Sequence, residues 1–204
     1  METQAGSLVK ARPVTVSDLI PLPLQGIARD AVLVVGFSLL TALCAQISIP
    51  LDPVPITFQT LAVLLSGATL GYKRGAAAML LYVLEGALGL PFYAQGKHGF
   101  DVLFGATGGY LFGFVLAATL VGWLAERGWD HNYFKTVLAM VLGSLLFYTL
   151  GVLSVWLVAY HGTQFDAALQ NGFVKFIPLD IAKILVAATV LPSTWSLTQR
   201  NRSK

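Results

Sequence analysis

VLAMVLGSLLFYTLGVLSVWLVAY (Val137–Tyr160) runs for 24 residues without a charged side chain. A helix that crosses a bilayer needs about 20 consecutive, mostly apolar residues. Working outward, Ile27–Ile49, Leu111–Ala125 and Ile181–Leu197 approach or meet that length. Ile56–Leu70 and Ala76–Leu90 fall slightly short of it and flank a basic turn, Gly71-Tyr72-Lys73-Arg74-Gly75. The whole chain agrees with these stretches: 56% of its 204 residues are hydrophobic and only 11% are charged, against about 25% charged in ordinary soluble domains. Mean hydropathy is +0.72. The pattern predicts an all-α integral membrane protein with six transmembrane helices in one domain.

Residues 1–26 have no basic start followed by an apolar run and a small-residue cleavage site, so they do not read as a signal peptide. Pro13, Pro21 and Pro23 interrupt them. We read 1–26 as an N-terminal tail and 27–204 as the membrane domain. The single cysteine, Cys44, lies in the first span and reads as a small core residue. Lys and Arg fall unevenly about six spans. Ten lie on one side: Lys10, Arg12, Arg29, Lys73, Arg74, Arg127, Lys135, Arg200, Arg202 and Lys204. Three (Lys97, Lys175 and Lys183) lie on the other. Positive residues favour the cytoplasm, which puts both termini there. The cations flank spans instead of forming a stripe, which argues against nucleic acid.

This orientation sends the unusual polar residues outward: Asp52, Gln59, Glu85, Lys97, His98, Asp101, Asp180 and Lys183. A site, if present, opens outward. The first outward connection, SIPLDPVPIT, carries Pro50, Pro53 and Pro55 and reads as a stiff extended link. The connection between the third and fourth spans, GLPFYAQGKHGFDVLFGATGGY, is long and rich in glycine and aromatics, so it is expected to fold back over the bundle. FDAALQNGFVKF spaces Phe165, Leu169, Phe173 and Phe176 as a short amphipathic helix. Pro178 opens the last span and Pro192 is expected to kink it. Glycines four apart (Gly67 and Gly71; Gly105, Gly109 and Gly113) suit close helix packing.

Asp180 and Lys183 sit three residues apart at the lip of the last span. A charge within a span costs about 2.5–3.5 kcal/mol at its centre and less near its ends. The pair reads either as a helix-end ion pair or as a bifunctional clamp, the carboxylate accepting N–H groups and the ammonium donating to oxygen. Gln59 adds a donor and an acceptor, and Glu85 adds an acid near the end of the third span. Lys97 and His98 lie in a glycine-rich loop. No metal spacing supports His98 or His131, and phosphate-loop, Ser-His-Asp and HExxH patterns are absent.

The run AQISIPLDPVPITFQTLAVLLSGATLGYKRGAAAMLLYVLEGALGLPFYAQGKHGFDVLFGATGGYLFGF, followed at a distance by PLDIAK, closely resembles the BioY family. That family comprises the biotin-specific substrate-binding (S) components of energy-coupling factor (ECF) transporters. The resemblance implies an S-component-like bundle of six spans with both termini cytoplasmic, in the cytoplasmic membrane of a bacterium, and a long outward loop between the third and fourth spans. It implies biotin as the transported ligand, no cofactor or metal, and no catalytic residues. It places Asp180 and Lys183 in the biotin site, Lys97 toward the biotin carboxylate, and Gln59, Tyr93 and Phe92 around the pocket, with Glu85 as an extra carboxylate near it. It also implies a transmembrane scaffold and ATPases as partners, met through small residues of the first span: Ser38, Thr41, Ala42 and Ala45. Whether such partners are needed stays open, as does internal packing for those four residues. The chain departs from the family pattern at Leu179, at Ala106 and at Glu85.

Three other readings stand beside this one. An S component for riboflavin or thiamin would call for more stacking aromatics. An intramembrane enzyme could use Glu85 and Asp180 as acid and base, but no nucleophile or metal set accompanies them. A purely structural membrane subunit leaves the outward clustering of polar residues unexplained.

Overall fold

The computed structural model describes residues 15–19 and 23–202, with side chains as far as Ser196. Lys10, Arg12, Pro13, Pro21 and Lys204, and the side chains of Arg200 and Arg202, lie outside the described residues. After one helical turn at Val16–Leu19, the order is α1 (Gly26–Gln46), β1 (Ser48–Ile49), β2 (Ile56–Thr57), α2 (Gln59–Leu70), α3 (Tyr72–Ala87), α4 (Phe100–Leu103), α5 (Gly108–Ala125), α6 (Tyr133–Ser154), α7 (Phe165–Gly172) and α8 (Ile177–Arg202). The described residues therefore form eight α-helices, of which α4 and α7 are short pieces inside connections. Among the described residues, three helices are long and apolar enough to cross a membrane: α1, α5, and α6 with its continuation to Ala159. Large apolar side chains such as Leu43, Leu145 and Leu157 stand exposed along them, as lipid-facing helices require. The chain is a predominantly helical, multi-pass membrane protein.

Two connections differ from the sequence expectation. SIPLDPVPIT is not an extended link but an antiparallel hairpin, with Ser48 opposite Thr57 and Ile49 opposite Ile56. Its prolines lack the N–H that a ladder needs, so they occupy the bend between the paired residues. As a result α2 begins at Gln59 and not at Ile56. The basic turn shrinks to Gly71, whose φ of 82° suits glycine, and Lys73 and Arg74 already belong to α3. The amphipathic α7 forms where the aromatic spacing predicts. α8 starts at Ile177 with Pro178 in its first turn and continues through Pro192 as one helix.

Helix α5 is central and packs on α2, α3 and α6. Close approach depends on glycine. A Cβ at Gly113 of α5 would stand 2.5 Å from Cα of Phe147 on α6, and one at Gly67 of α2 would strike the Ala118 carbonyl of α5.

One group of charges gathers at one end of the bundle. Arg74 pairs with Asp30 at 2.8 Å and with Asp18 at 3.1 Å, and Arg29 donates to the Ser17 carbonyl at 2.7 Å. The Tyr72 amide donates to Glu126 at 3.1 Å. The Trp195 indole N–H donates to buried Asp130 at 2.6 Å, tying the C-terminal part of α8 to the α5–α6 connection. Burial raises the Asp130 carboxyl above the usual aspartate range, although the Trp195 N–H pulls against it. The hairpin, the long loop, α7 and the start of α8 occupy the opposite end, and the site lies there.

Candidate functional site

The segment 91–107 folds over its end of the bundle, as its apolar content requires, and buries Tyr93 and Leu103. Side chains of the bundle hold it at both ends. At one end Gln46 of α1 donates to the Tyr93 carbonyl at 3.2 Å and accepts from the Gly96 amide at 2.9 Å. At the other, Ser154 of α6 donates to the carbonyls of Ala106 at 2.7 Å and Gly105 at 3.1 Å. Tyr93 lies against α3 at Gly86, where a Cβ would run into its ring. Its hydroxyl donates to the Val83 carbonyl at 2.7 Å, and burial pushes its phenol up to about 12.

Beneath this cover is a cavity with about 590 Å³ of atom-free space, counted out to its open mouth. Its wall draws on several elements: Val54, Pro55 and Thr57 from the hairpin, Gln59 and Thr60 from α2, and Tyr93, Ala94, Lys97 and Val102 from the cover. Thr107, Tyr110, Leu111 and Phe114 come from the start of α5, Tyr148 from α6, and Phe176 from the turn before α8. The aromatic side is a packed set. Tyr148 meets Tyr110 edge-on at 6.2 Å, Phe176 at 5.9 Å and Phe173 at 5.0 Å. The Tyr110 hydroxyl donates to the Gly172 carbonyl at 2.5 Å, which docks α7 onto the bundle.

Behind the polar wall, Asp180 and Lys183 are both 6% exposed. They form an ion pair at 2.6 Å. The Lys183 ammonium also donates to the Thr57 carbonyl at 2.7 Å and to the Thr60 hydroxyl at 3.0 Å. The Thr60 hydroxyl donates to Asp180 Oδ1 at 3.2 Å, and the Tyr148 hydroxyl donates to Asp180 Oδ2 at 2.5 Å. One helical turn of α8 thus ties together the hairpin, α2 and α6. Nearby, Gln59 donates to the Tyr82 hydroxyl at 2.6 Å, and that hydroxyl donates to the Phe92 carbonyl at 3.1 Å.

Of the residues singled out from the sequence, Gln59, Tyr93 and Lys97 line the cavity. Asp180 and Lys183 sit behind it, bonded to residues that line it. Phe92 does not line it but packs, partly buried, against the hydrophobic core. Glu85 is elsewhere: it accepts a hydrogen bond from Ser38 between α1 and α3. Ser38, Thr41, Ala42 and Ala45 are all buried, on the helix that packs against α3 and α2. They are not a free docking surface, because the small side chains that would admit a partner already admit the neighbouring helices. Sequence reasoning missed Thr60, Tyr110 and Tyr148. The available signal was a tyrosine in mid-span, a polar tip that needs a partner when buried.

Comparisons with known proteins bear on this geometry. The BioY family profile matches residues 10–200. The biotin transporter BioY of Thermotoga maritima is 42% identical over 154 residues, which is 76% of this chain and 88% of that protein. The biotin transporter BioY2 of Lactococcus lactis is 36% identical over 165 residues, covering 79% of this chain and 87% of that one. A crystal structure of the S-component for biotin from an ECF-type ABC transporter superposes with a TM-score of 0.72 at 20% identity, over 87% of this chain and 92% of that one. That likeness shows a shared fold. With a profile match over nearly its whole length and relatives of this similarity, the chain belongs to the BioY family.

Proposed function

We propose that the protein takes up biotin across the cytoplasmic membrane of a bacterium as the substrate-binding component of an ECF-type transporter. It is a transport protein and not an enzyme, as its family is. The observation that carries the ligand reading is the mixed lining of the cavity. It combines hydrogen-bonding groups (Thr57, Gln59, Thr60 and Tyr148), aromatic rings (Tyr93, Tyr110, Phe114 and Phe176) and, from the covering loop, the exposed cation Lys97. Biotin has the same kinds of parts: a ureido head with two N–H donors and a carbonyl, an apolar middle, and a carboxylate at the end of its tail. The ureido head matches the polar wall and the carboxylate matches Lys97.

In this reading six helices cross the membrane, both termini face the cytoplasm, and the cavity opens outward. The uneven distribution of Lys and Arg supports that orientation. A transmembrane scaffold subunit and ATPases supply the energy for release. The four small residues of α1 give no exposed face to such a scaffold, so docking uses a different surface.

The test is a titration of purified protein in detergent with biotin, riboflavin and thiamin, together with Lys97→Ala. Saturable binding of biotin alone is expected, weakened about ten-fold in Lys97→Ala by loss of one charge-assisted contact. Binding of riboflavin or thiamin in preference to biotin would overturn the assignment.

A further inference from the structure

We propose that the cover of the cavity is seated in the bilayer. Phe100 and Phe104, on the side of α4 turned away from the bundle, stand among the acyl chains of the leaflet at the cavity end.

α4 is a single helical turn with two different sides. The Gly99 amide before it donates to the Gly86 carbonyl of α3 at 2.8 Å, and the Phe104 amide closes the turn on the Phe100 carbonyl at 2.9 Å. Toward the bundle, Leu103 is buried and Val102 lines the cavity. On the other side, Phe100 is 58% and Phe104 69% exposed. A cover that met water would carry polar side chains there. This one carries two large rings, four residues apart and stacked at 6.4 Å.

The rings continue a lipid-facing stripe. Phe104 lies 6.5 Å from Phe112 of α5. From Phe112 the stripe runs along α5 through Leu116 to Trp123, at helical spacing and exposed throughout. α5 is long and apolar enough to cross a membrane, yet its 18 residues make about 27 Å, short of the roughly 30 Å hydrocarbon core. Phe104 and Phe100 carry the apolar band past the end of the helix and make up the deficit. Asp101, the acid within α4, is exposed, and near the headgroups a charge costs little. The continuity with the lipid face of α5 selects acyl chains over a protein as the occupant. One helical turn then separates the cavity from the bilayer, with Val102 on one side and the phenylalanines on the other.

The test needs no cavity ligand, so it stands apart from the biotin reading. The protein is reconstituted in vesicles of phosphatidylglycerol and phosphatidylethanolamine in equal parts. Cys44→Ala removes the one native thiol, and a nitroxide is attached in turn to Phe100→Cys, Phe104→Cys, Leu116→Cys and His98→Cys. Collisions with oxygen, which dissolves among acyl chains, are compared with collisions with a water-soluble nickel chelate. The labels at Phe100 and Phe104 should behave as at Leu116, with the chelate collisions seen at exposed His98 lost. Chelate collisions as frequent as at His98 would overturn the proposal. Screening from both reagents, the result of a second copy or another protein seated on the rings, would overturn it as well. Unsubstituted protein supplies a second measurement. A phospholipid with a photoactivatable diazirine near the glycerol end of an acyl chain is added to the vesicles, and its adducts are located by fragmentation mass spectrometry. Adducts at Phe100 or Phe104 are expected beside those on the α5 stripe; adducts on the stripe alone would overturn the proposal.

Discussion

Replacing Lys183 by methionine keeps most of the length of the side chain and removes its charge and its three hydrogen bonds. The lost partners are unequal. The Thr57 carbonyl and the Thr60 hydroxyl each lose a donor, but Asp180 loses its counter-ion while 6% exposed. Removing one partner of a buried pair costs about 3–5 kcal/mol, because the remaining charge is uncompensated. Against a total stability of about 5–15 kcal/mol this is a large share. At about 2–4 °C per kcal/mol for a chain of this size, the unfolding midpoint should fall by about 6–20 °C. Adding Asp180→Asn in the same molecule removes the stranded charge and leaves a carbonyl for Tyr148, so the double variant should be more stable than Lys183→Met alone. Intrinsic tryptophan fluorescence during thermal unfolding in detergent gives all the midpoints. A drop of under about 2 °C in Lys183→Met, or a double variant destabilised by the sum of the two single changes, would refute the idea that the two charges exist to compensate each other.

Two further outcomes follow from groups outside the cavity. Glu85→Gln keeps an oxygen for Ser38 and lies away from the cavity wall, so biotin Kd should stay within about two-fold of wild type on titration; a ten-fold loss would place Glu85 in the site after all. At the other end of the bundle, burial would raise the Asp18 carboxyl, but the Thr15 amide and the Arg74 guanidinium outweigh it and hold Asp18 below its ordinary range. A carboxyl lowered by folding contributes stability above its unfolded pKa of about 3.9 and loses it as pH falls through the folded value. The midpoint gap between wild type and Asp18→Asn should therefore be constant from about pH 7 to pH 5 and close below about pH 4. A gap that widens with acid would contradict the assigned contacts.

The helices were legible because a membrane span is a long-range signal: Val137–Tyr160 leaves little else to be. The cover over the cavity was legible too, since a loop containing Phe92, Tyr93, Leu103 and Phe104 carries too much apolar surface for water. The connections were harder. Whether three prolines make a rod or a bend depends on whether Ser48 and Ile49 find Thr57 and Ile56, a pairing that proline statistics do not contain. The site divided along the same line. Asp180 and Lys183 stood out as charges in an apolar run, but spacing does not reveal which way a pair faces. Their partners come from residues more than thirty positions away (Tyr148) and more than a hundred away (Thr57 and Thr60). Glu85 shows the converse: an acid in a span attracts a functional reading, and a serine on the neighbouring helix is enough to accommodate it.

Gln46 and Ser154 hold the two ends of the cavity's cover through main-chain carbonyls and an amide of residues 93, 96, 105 and 106. Main-chain groups are present whatever side chain a position carries. The exposed residues of that cover, Lys97 and His98 among them, can thus be exchanged by mutation while its path over the bundle is retained. Divergence at the entrance is uncoupled from divergence of the scaffold, so one architecture can explore new entry chemistries in single steps without first becoming unstable.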